Sequence, residues 1–210
     1  MIKKIIKENI WYIITLVVLV ILSIIVMRSS FVDTINKFDQ SVIRYIITIV
    51  DDRLTTIFSF ITNFGDLYIP IVILICIFIF IKNKWYFYLQ AGSYLVAGGI
   101  AFVVKILAGR ERPLEALIEI PSTKSFPSGH TLTSIVFYMM LVYLLTYHYK
   151  KKTRLVCFVG SFILILLIAI SRIYLGVHYC SDVIGGIIFG VPCLLMLMNI
   201  INKNFKKNLK

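Results

Sequence analysis

Acidic residues and cysteines are scarce in this chain of 210 residues. Asp and Glu together number 10, against 22 Lys and Arg, and there are four cysteines. Cys76, Cys157 and Cys193 lie inside long apolar segments. We interpret Cys180 as a small packed residue, so no disulfide framework is predicted. Internal repeats and low-complexity segments are also absent. The chain is therefore predicted to be a single domain over residues 1–210.

Apolar residues make up most of the remainder. The chain is 60% hydrophobic, with a mean hydropathy of +0.93, and its apolar segments are suited to a hydrocarbon core about 30 Å thick. The six predicted spans are residues 10–27, 67–81, 85–108, 131–149, 155–170 and 183–201. Helix is the predicted conformation, because unpaired backbone groups are costly in lipid. The sequence thus predicts an all-α integral membrane protein with six transmembrane helices.

The distribution of charge predicts the orientation. The whole formal charge of +12 lies in four clusters on one side of the predicted spans. Their basic residues are Lys3, Lys4, Lys7, Lys82, Lys84, Lys150, Lys151, Lys152, Arg154, Lys203, Lys206, Lys207 and Lys210. The positive-inside rule assigns this side to the cytoplasm. Both termini of a multi-pass protein of the cytoplasmic membrane are then cytoplasmic. Nucleic-acid binding is not supported, since no soluble domain is present to host it.

The longest segment between predicted spans is residues 28–66, on the extracytoplasmic side. Its apolar residues at helical spacing are Leu54, Ile57, Phe58 and Ile61. Asp51 or Asp52 is a candidate N-cap, and Gly65 is a candidate stop. We predict an amphipathic helix on the outer leaflet. It is either a packed connector or a lid and side entrance for a lipid substrate.

A first polar motif follows the third predicted span. Lys105 lies in the last turns of that span, Gly109 is a plausible helix stop, and Pro113 opposes continuation of the helix. Arg112 is therefore expected to turn back from a loop, so that two cations meet one anion. The alternative is ordinary anchoring of Lys and Arg at a membrane border.

A second motif, Pro127-Ser128-Gly129-His130, opens the fourth predicted span. Free backbone N–H groups at a helix start bind anions. Gly129 allows close approach of the backbone, and Ser128 adds a hydroxyl donor. The alternative is simple helix capping, with His130 as a polar cap residue.

A third motif contains Arg172, His178 and Asp182. If one helical turn joins His178 to Asp182, the carboxylate holds the imidazole tautomer that leaves the other ring nitrogen free to attack. Arg172 supplies a planar fork suited to phosphate oxygens. Alternation of the spans places all three motifs at the extracytoplasmic face.

A metal site is the alternative to this arrangement. His130, His178, Cys180 and Asp182 are possible ligands, but positions 178, 180 and 182 cannot share one helical face. Nearby cations would also repel a divalent ion. Neither a metal nor any other cofactor is predicted.

Together the three motifs resemble the signature of the type 2 phosphatidic acid phosphatase superfamily, in its membrane branch. The resemblance implies that His178 is a nucleophile forming a phosphohistidine, that Asp182 orients it, and that His130 protonates the leaving oxygen and later activates water. It implies that the phosphate oxygens are held by Lys105, Arg112, Ser128, Gly129 and Arg172.

The resemblance also implies a function. The expected enzyme is a lipid phosphate phosphatase that removes the terminal phosphate of phosphatidylglycerophosphate, undecaprenyl diphosphate or phosphatidic acid. Its partners are the lipid substrate and the bilayer, and no obligatory protein partner is inferred. A lipid phosphotransferase with the same phosphohistidine is one alternative, and a non-catalytic lipid-phosphate binding or transport protein is another. Binding alone would not require a His–Asp pair and a second His.

Overall fold

The computed structural model describes residues 2–209, which are almost entirely helical and contain no strand. The helices are α1 Ile2–Glu8, α2 Ile10–Arg28, α3 Phe31–Thr48, α4 Asp52–Thr62, α5 Tyr68–Phe80, α6 Trp85–Ala108, α7 Gly129–Leu145, α8 Lys151–Tyr174 and α9 Cys180–Ile200. A 3₁₀ turn, Asn63–Gly65, follows α4, and Ile201–Leu209 continues α9 as a π turn and a 3₁₀ turn. The prediction of an all-α protein is confirmed.

Four of the helices are long and apolar enough to cross a membrane by themselves. They are α2, α6, α8 and α9 with its extension. Helices α4 and α5 meet the same criterion only as a pair, which is bent by 46° at the break between them. Helix α7 is apolar but has 17 residues, which gives a length of about 25 Å. The residues described therefore contain four such spans, or five with the bent pair, against the six predicted.

Helix α7 is the centre of the bundle and packs against α6, α8 and α9. Leu132, Val136, Phe137 and Met140 on this helix have no exposed surface. A helix covered by protein on all sides is apolar all round and carries no polar face. The prediction placed its C-terminal end at residue 149, but the helix ends at Leu145.

Helix α8 extends beyond both ends of its predicted span, residues 155–170. It begins at Lys151 and continues to Tyr174. Hydropathy marks the part of a helix that suits lipid, whereas backbone hydrogen bonding continues through polar residues such as Arg172 as well. The C-terminal extension therefore carries Arg172 on a regular helix.

The segment before α5 contains two helices where one was predicted. The predicted amphipathic helix is α4, and Asp51 caps it, with Oδ1 accepting from the backbone N–H groups of Arg53 at 2.8 Å and Leu54 at 3.1 Å. Gly65 ends the 3₁₀ turn rather than the helix. Helix α3 was not predicted, because its charged residues interrupt the apolar pattern. It packs against the ends of α8 and α9.

The connection between α6 and α7 has no regular structure but is tied to its surroundings. Gly109 stops α6 in the left-handed conformation, with φ of 65°. The Ser125 N–H then donates to the Arg110 carbonyl at 2.8 Å, and the Leu117 N–H donates to the Leu175 carbonyl at 3.0 Å. These bonds bring the connection across the ends of α7, α8 and α9.

Candidate active site

The predicted residues converge at one end of the bundle, where α6 and α8 end and α7 and α9 begin. One backbone hydrogen bond joins the second motif to the third there, and another links two residues within the third. The Ser128 N–H donates to the Asp182 carbonyl at 2.9 Å, and the His178 N–H donates to the Arg172 carbonyl at 3.2 Å. The side chains form two adjoining groups. The His178 cluster is Lys105, Arg112, Ser125, His178 and Asp182, and the His130 cluster is Thr62, Asp66, His130 and Arg172.

In the His178 cluster, the imidazole lies between a cation and a carboxylate. Its Nε2 atom is 3.2 Å from Nη1 of Arg112, and its Nδ1 atom is 3.5 Å from Oδ2 of Asp182. A guanidinium can only donate hydrogen bonds, so Nε2 of His178 accepts and the ring proton is on Nδ1. This tautomer leaves the lone pair of Nε2 directed toward the cations.

His178 and Asp182 are in contact, but the backbone between them is not the helical turn that was predicted. A helical turn was expected to join them, but His178 precedes α9 and only Asp182 lies in its first turn. Oδ2 of Asp182 accepts from the Tyr179 N–H at 2.9 Å and from the Ser125 hydroxyl. The carboxylate thus caps the start of α9 as well as facing the imidazole.

Burial keeps His178 neutral. The residue is 2% exposed, and this burial lowers the pKa of His178 to about 3, although Asp182 opposes the shift and Arg112 and Lys105 reinforce it. At neutral pH the imidazole is therefore an uncharged base. Burial also lowers the pKa of Arg112 below its ordinary value, but a guanidinium remains charged at neutral pH.

Lys105 is held by backbone carbonyls. Its Nζ donates to the Lys124 carbonyl at 2.5 Å and to the Ser125 carbonyl at 3.1 Å, and the residue is 9% exposed. A Cβ added to Gly129 would lie 3.6 Å from Cε of Lys105, so this ammonium group adjoins the start of α7.

Arg112 is also oriented by backbone groups. Its Nε donates to the Thr123 carbonyl at 2.7 Å, and Nη1 donates to the Val177 carbonyl at 2.7 Å. As predicted, the residue turns back from the connection after α6. Its Nη1 atom reaches the imidazole of His178.

Arg172 belongs to the His130 cluster. It is 2% exposed, and Nη1 donates to the Thr62 hydroxyl at 2.5 Å. Its Nε is buried and has no hydrogen-bond partner among residues 2–209. Buried donors are rarely left unsatisfied in folded proteins, so this atom is suited to an anionic ligand.

Within the described part of the chain, none of the three cations forms a salt bridge with a carboxylate. Lys105 and Arg172 are thus buried and Arg112 is half-buried, and none of them has a carboxylate within salt-bridge distance. Burying unpaired charge is costly. The arrangement fits a site whose anion comes from a ligand.

His130 pairs with a residue that the sequence analysis did not single out. Its Nε2 is 2.8 Å from Oδ1 of Asp66, which follows the 3₁₀ turn before α5. A Cβ added to Gly65 would lie 2.8 Å from both Cδ2 of His130 and Cγ2 of Ile168. Only glycine allows the backbone to approach the imidazole this closely.

Ser128 is the N-cap of α7 and is fully buried. Its Oγ accepts from the Thr131 hydroxyl at 3.0 Å, which leaves its own proton available for a ligand. Capping, the alternative considered for this motif, is therefore observed, and it is compatible with the predicted donor role.

Another buried group lies beside Asp182 and was also missed. Arg110 pairs with Asp182 and with Asp39 of α3, and Ser181 contacts both Arg110 and Asp39. The sequence offers two weak signals for it. Arg110 lies two residues before Arg112, and Asp39 interrupts an apolar face.

Among residues 2–209, no group of three or more His, Cys, Asp or Glu side chains is placed to hold a metal ion. A groove of about 680 Å³ lies beside the site, between α3 and residues 113–117. Its lining includes Ile43, Ile47, Leu114, Tyr174 and Tyr179. The groove is largely apolar. Two of its lining residues, Pro113 and Tyr179, directly follow Arg112 and His178 in the chain.

The apolar helical bundle and its cation-lined histidine site define a class, that of membrane proteins which handle a phosphate group. The family model described as the PAP2 superfamily matches residues 86–206, and the chain belongs to this superfamily. It is accordingly a phosphoric ester hydrolase of the type 2 phosphatidic acid phosphatase kind and a membrane lipid phosphate phosphatase. The predicted family is confirmed.

Similar proteins agree with this membership. Phosphatidylglycerophosphatase B of Bacillus subtilis is 27% identical over 185 residues, covering 85% of this chain and 88% of the relative. Decaprenylphosphoryl-5-phosphoribose phosphatase of Mycobacterium tuberculosis is 35% identical over 104 residues, covering 48% of this chain and 52% of the relative.

Two solved structures show the same fold. The crystal structure of a transmembrane PAP2 type phosphatidylglycerolphosphate phosphatase from Bacillus subtilis matches with a TM-score of 0.80 and 23% identity, over 91% of this chain and 96% of that one. Aquifex aeolicus LpxE matches with a TM-score of 0.57 and 22% identity, over 76% of this chain and 94% of that one.

Proposed function

We propose that this phosphatase removes the terminal phosphate of phosphatidylglycerophosphate, undecaprenyl diphosphate or both, through a phosphohistidine on His178. One observation carries the proposal: Lys105 and Arg112, two cations without carboxylate salt bridges, act on a neutral imidazole whose lone pair faces Arg112, and a third such cation, Arg172, lies in the adjoining His130 cluster. The name of the Bacillus subtilis relative, phosphatidylglycerophosphatase B, supports the first substrate.

In the first step, Nε2 of His178 attacks phosphorus, so that an N–P bond forms and the bond from phosphorus to the lipid oxygen breaks. Asp182 stabilises the positive charge that develops on the ring through Nδ1–H. His130 donates a proton to the leaving lipid oxygen. In the second step, His130 takes a proton from water, which attacks phosphorus and breaks the N–P bond. Inorganic phosphate is released.

Charge neutralisation supplies most of the remaining catalysis. Phosphoryl transfer needs positioning and electrostatic stabilisation of the equatorial oxygens. Lys105, Arg112 and Arg172 are assigned this role, together with the Ser128 hydroxyl and the Gly129 amide. No metal or cofactor is assigned to the reaction.

The decisive assay is phosphate release by the purified protein in detergent, across a panel of lipid phosphates with EDTA present. Release that survives EDTA is expected. Abolition by EDTA with rescue by one divalent ion would contradict the mechanism. Transfer of phosphate to an added lipid acceptor in place of release would identify a phosphotransferase, and binding without turnover would identify a non-catalytic lipid-phosphate protein.

The proposed topology has six spans, with the α4–α5 pair forming one bent span and α7 forming a short one enclosed by protein. Both termini are then cytoplasmic and the site is extracytoplasmic. Impermeant amine reagents on intact cells should label Lys124, whereas Lys151 and Lys207 should react only after permeabilisation. The opposite pattern would place the site in the cytoplasm.

The groove beside α3 is proposed to receive the apolar part of the lipid. Ile47 lines it and is half exposed, so Ile47→Trp should fill space without disturbing buried packing. KM should rise for a long-chain lipid phosphate and stay unchanged for a small aryl phosphate. An equal change for both substrates would exclude the groove as a tail site.

A further inference from the structure

Arg110 lies between two buried carboxylates that belong to different helices. Its Nη2 is 2.6 Å from Oδ2 of Asp39 on α3, and its Nη1 is 2.7 Å from Oδ1 of Asp182 on α9. The side chains of both carboxylates are fully buried, and that of Arg110 is 8% exposed. The guanidinium also lies 4.2 Å over the ring of Tyr179. The guanidinium is therefore held at both terminal nitrogens and on one face.

Ser181 closes this group. Its N–H donates to Oδ1 of Asp39 at 2.9 Å, its hydroxyl donates to Oδ2 of Asp39 at 2.5 Å, and Nη1 of Arg110 lies 2.6 Å from the same hydroxyl. Asp39, Arg110, Ser181 and Asp182 together form the Arg110 bridge. The bridge ties α3 to the first turn of α9.

Arg110 differs from Arg112, which lies two residues further along the same connection. Arg112 donates to carbonyls and to the imidazole and has no carboxylate within salt-bridge distance, whereas both terminal nitrogens of Arg110 are paired with carboxylates. The first arrangement suits an incoming phosphate. The second suits a fixed support for Asp182.

We propose that Arg110 and Asp39 are positioning residues that hold the carboxylate of Asp182 against His178, so that α3 is a working part of the active site. This proposal rests on the function proposed above. Neither residue touches the substrate, and both act through Asp182. A misplacement of about 1 Å can lower a rate about a hundredfold, so the support of Asp182 is expected to appear in kcat.

Through Asp182, the bridge also contributes to the electrostatic field at His178. The imidazole faces Asp182, Lys105, Arg112 and the Ser125 hydroxyl. Asp182 in turn faces Arg110 and lies near the Tyr179 phenol and the Cys180 thiol. Removing the charge of Arg110 leaves the carboxylate less compensated and raises the pKa of His178. Removing the charge of Asp39 has the opposite electrostatic effect.

These opposite changes in the pKa of His178 distinguish a positioning role of the bridge from a general loosening of the fold. Opening the site to water would relieve burial and raise the pKa of His178 in both variants. The chain has three histidines, so ¹⁵N-histidine labelling in detergent micelles gives a resolvable spectrum. His178→Gln identifies the resonances of His178.

The experiment compares Arg110→Gln and Asp39→Asn with the wild type, by ¹⁵N titration and by turnover of an aryl phosphate. Arg110→Gln should lower kcat about a hundredfold, leave KM little changed and raise the pKa of His178. Asp39→Asn should also lower kcat, without any rise in that pKa. Glu111→Gln is the matched control, since it removes only an exposed pair with Lys124 beside Arg110, and it should behave as wild type.

A joint rise of the pKa in both variants, or a rise in KM at constant kcat, would overturn the proposal. If Arg110→Gln does not fold, Ser181→Ala keeps every charge and removes only the hydroxyl of the bridge. It should lower kcat several-fold, and an unchanged kcat would overturn the proposal. Wild-type protein that hydrolyses no lipid phosphate would instead refute the proposed function, while the titration still reports on the bridge.

Discussion

The His178 cluster and the His130 cluster each pair a histidine with an aspartate, yet the two pairs are built differently. Asp182 is four residues from His178 and fully buried, and its carboxylate is further held by Arg110 and Ser125. Asp66 is 64 residues from His130, and 39% of its side chain is exposed. The His178–Asp182 pair, the locked pair, is fixed on several sides, whereas the His130–Asp66 pair, the open pair, is partly exposed beside the break between α4 and α5.

This difference matches the two roles proposed for the histidines. A nucleophile must keep one tautomer and one orientation while it forms a bond. A general acid must exchange a proton with the substrate and then with water, so it needs access to solvent. The locked pair fits the first task and the open pair fits the second.

The largest loss of kcat is expected from a substitution in the locked pair, His178 and Asp182. Asp182→Asn removes the charge that stabilises the protonated ring and disturbs the tautomer of His178. The kcat should fall about 10⁴-fold for alkyl and aryl phosphates alike. Steady-state kinetics with both substrates checks this, with circular dichroism as the folding control. A loss confined to one substrate would show that Asp182 does not act on the nucleophile.

A smaller and substrate-dependent loss is expected from the open pair. His130→Ala removes the proton donor, which contributes about 10²- to 10⁴-fold when the leaving oxygen is a poor leaving group. An aryl phosphate, whose leaving oxygen needs little protonation, should retain more activity than an alkyl phosphate. The measurement is kcat/KM for both substrates. Equal losses would remove the general-acid role from His130.

Asp66 should matter less than Asp182. The hydrogen bond between its charged carboxylate and His130 contributes about 1.5 kcal/mol, so Asp66→Asn should lower kcat for an alkyl phosphate about tenfold. The aryl phosphate should be affected less. Asp52→Asn is the matched control, because Asp52 is exposed in the first turn of the neighbouring α4. A fall as deep as that of Asp182→Asn would erase the contrast between the pairs.

Part of this contrast follows from the sequence and part does not. His178 and Asp182 lie within one motif, so their spacing predicted a contact, although helix capping produces it rather than a helical turn. Lys105, Arg112 and Arg172 were likewise found through local motifs at the ends of apolar segments. The all-α fold followed from hydropathy.

Asp66, Asp39 and Arg110 could not be found in the same way. Their partners are 64 to 142 residues away in the chain, and no local periodicity encodes such distances. Helix α3 was missed because its charged residues resemble those of a solvated loop. One of those charges, on Asp39, is buried against the site, where it pairs with Arg110 from the connection after α6.

The smallest expected effect is on stability. Below a pH of about 6.5 the unfolded chain protonates His178, whereas the native chain, with a pKa of about 3 for this residue, does not. The free energy of unfolding therefore falls as pH falls between these values, by about 1 kcal/mol at pH 5.5. In thermal unfolding, the His178→Gln variant should lose less stability than the wild type between pH 7.5 and pH 5.5. Parallel losses in the two proteins would contradict a buried neutral imidazole.

The central claim is that His178 carries the phosphoryl group, and the most direct test is to trap it. Wild-type protein, His178→Ala and His130→Ala are mixed with ³²P-labelled aryl phosphate, quenched within milliseconds in alkali and analysed by peptide mapping. Label that is stable in alkali and labile in acid should appear on His178 in the wild type. It should persist in His130→Ala, where breakdown by water is slowed, and be absent from His178→Ala. Label on His178→Ala, or on another residue of the wild type, would contradict the account.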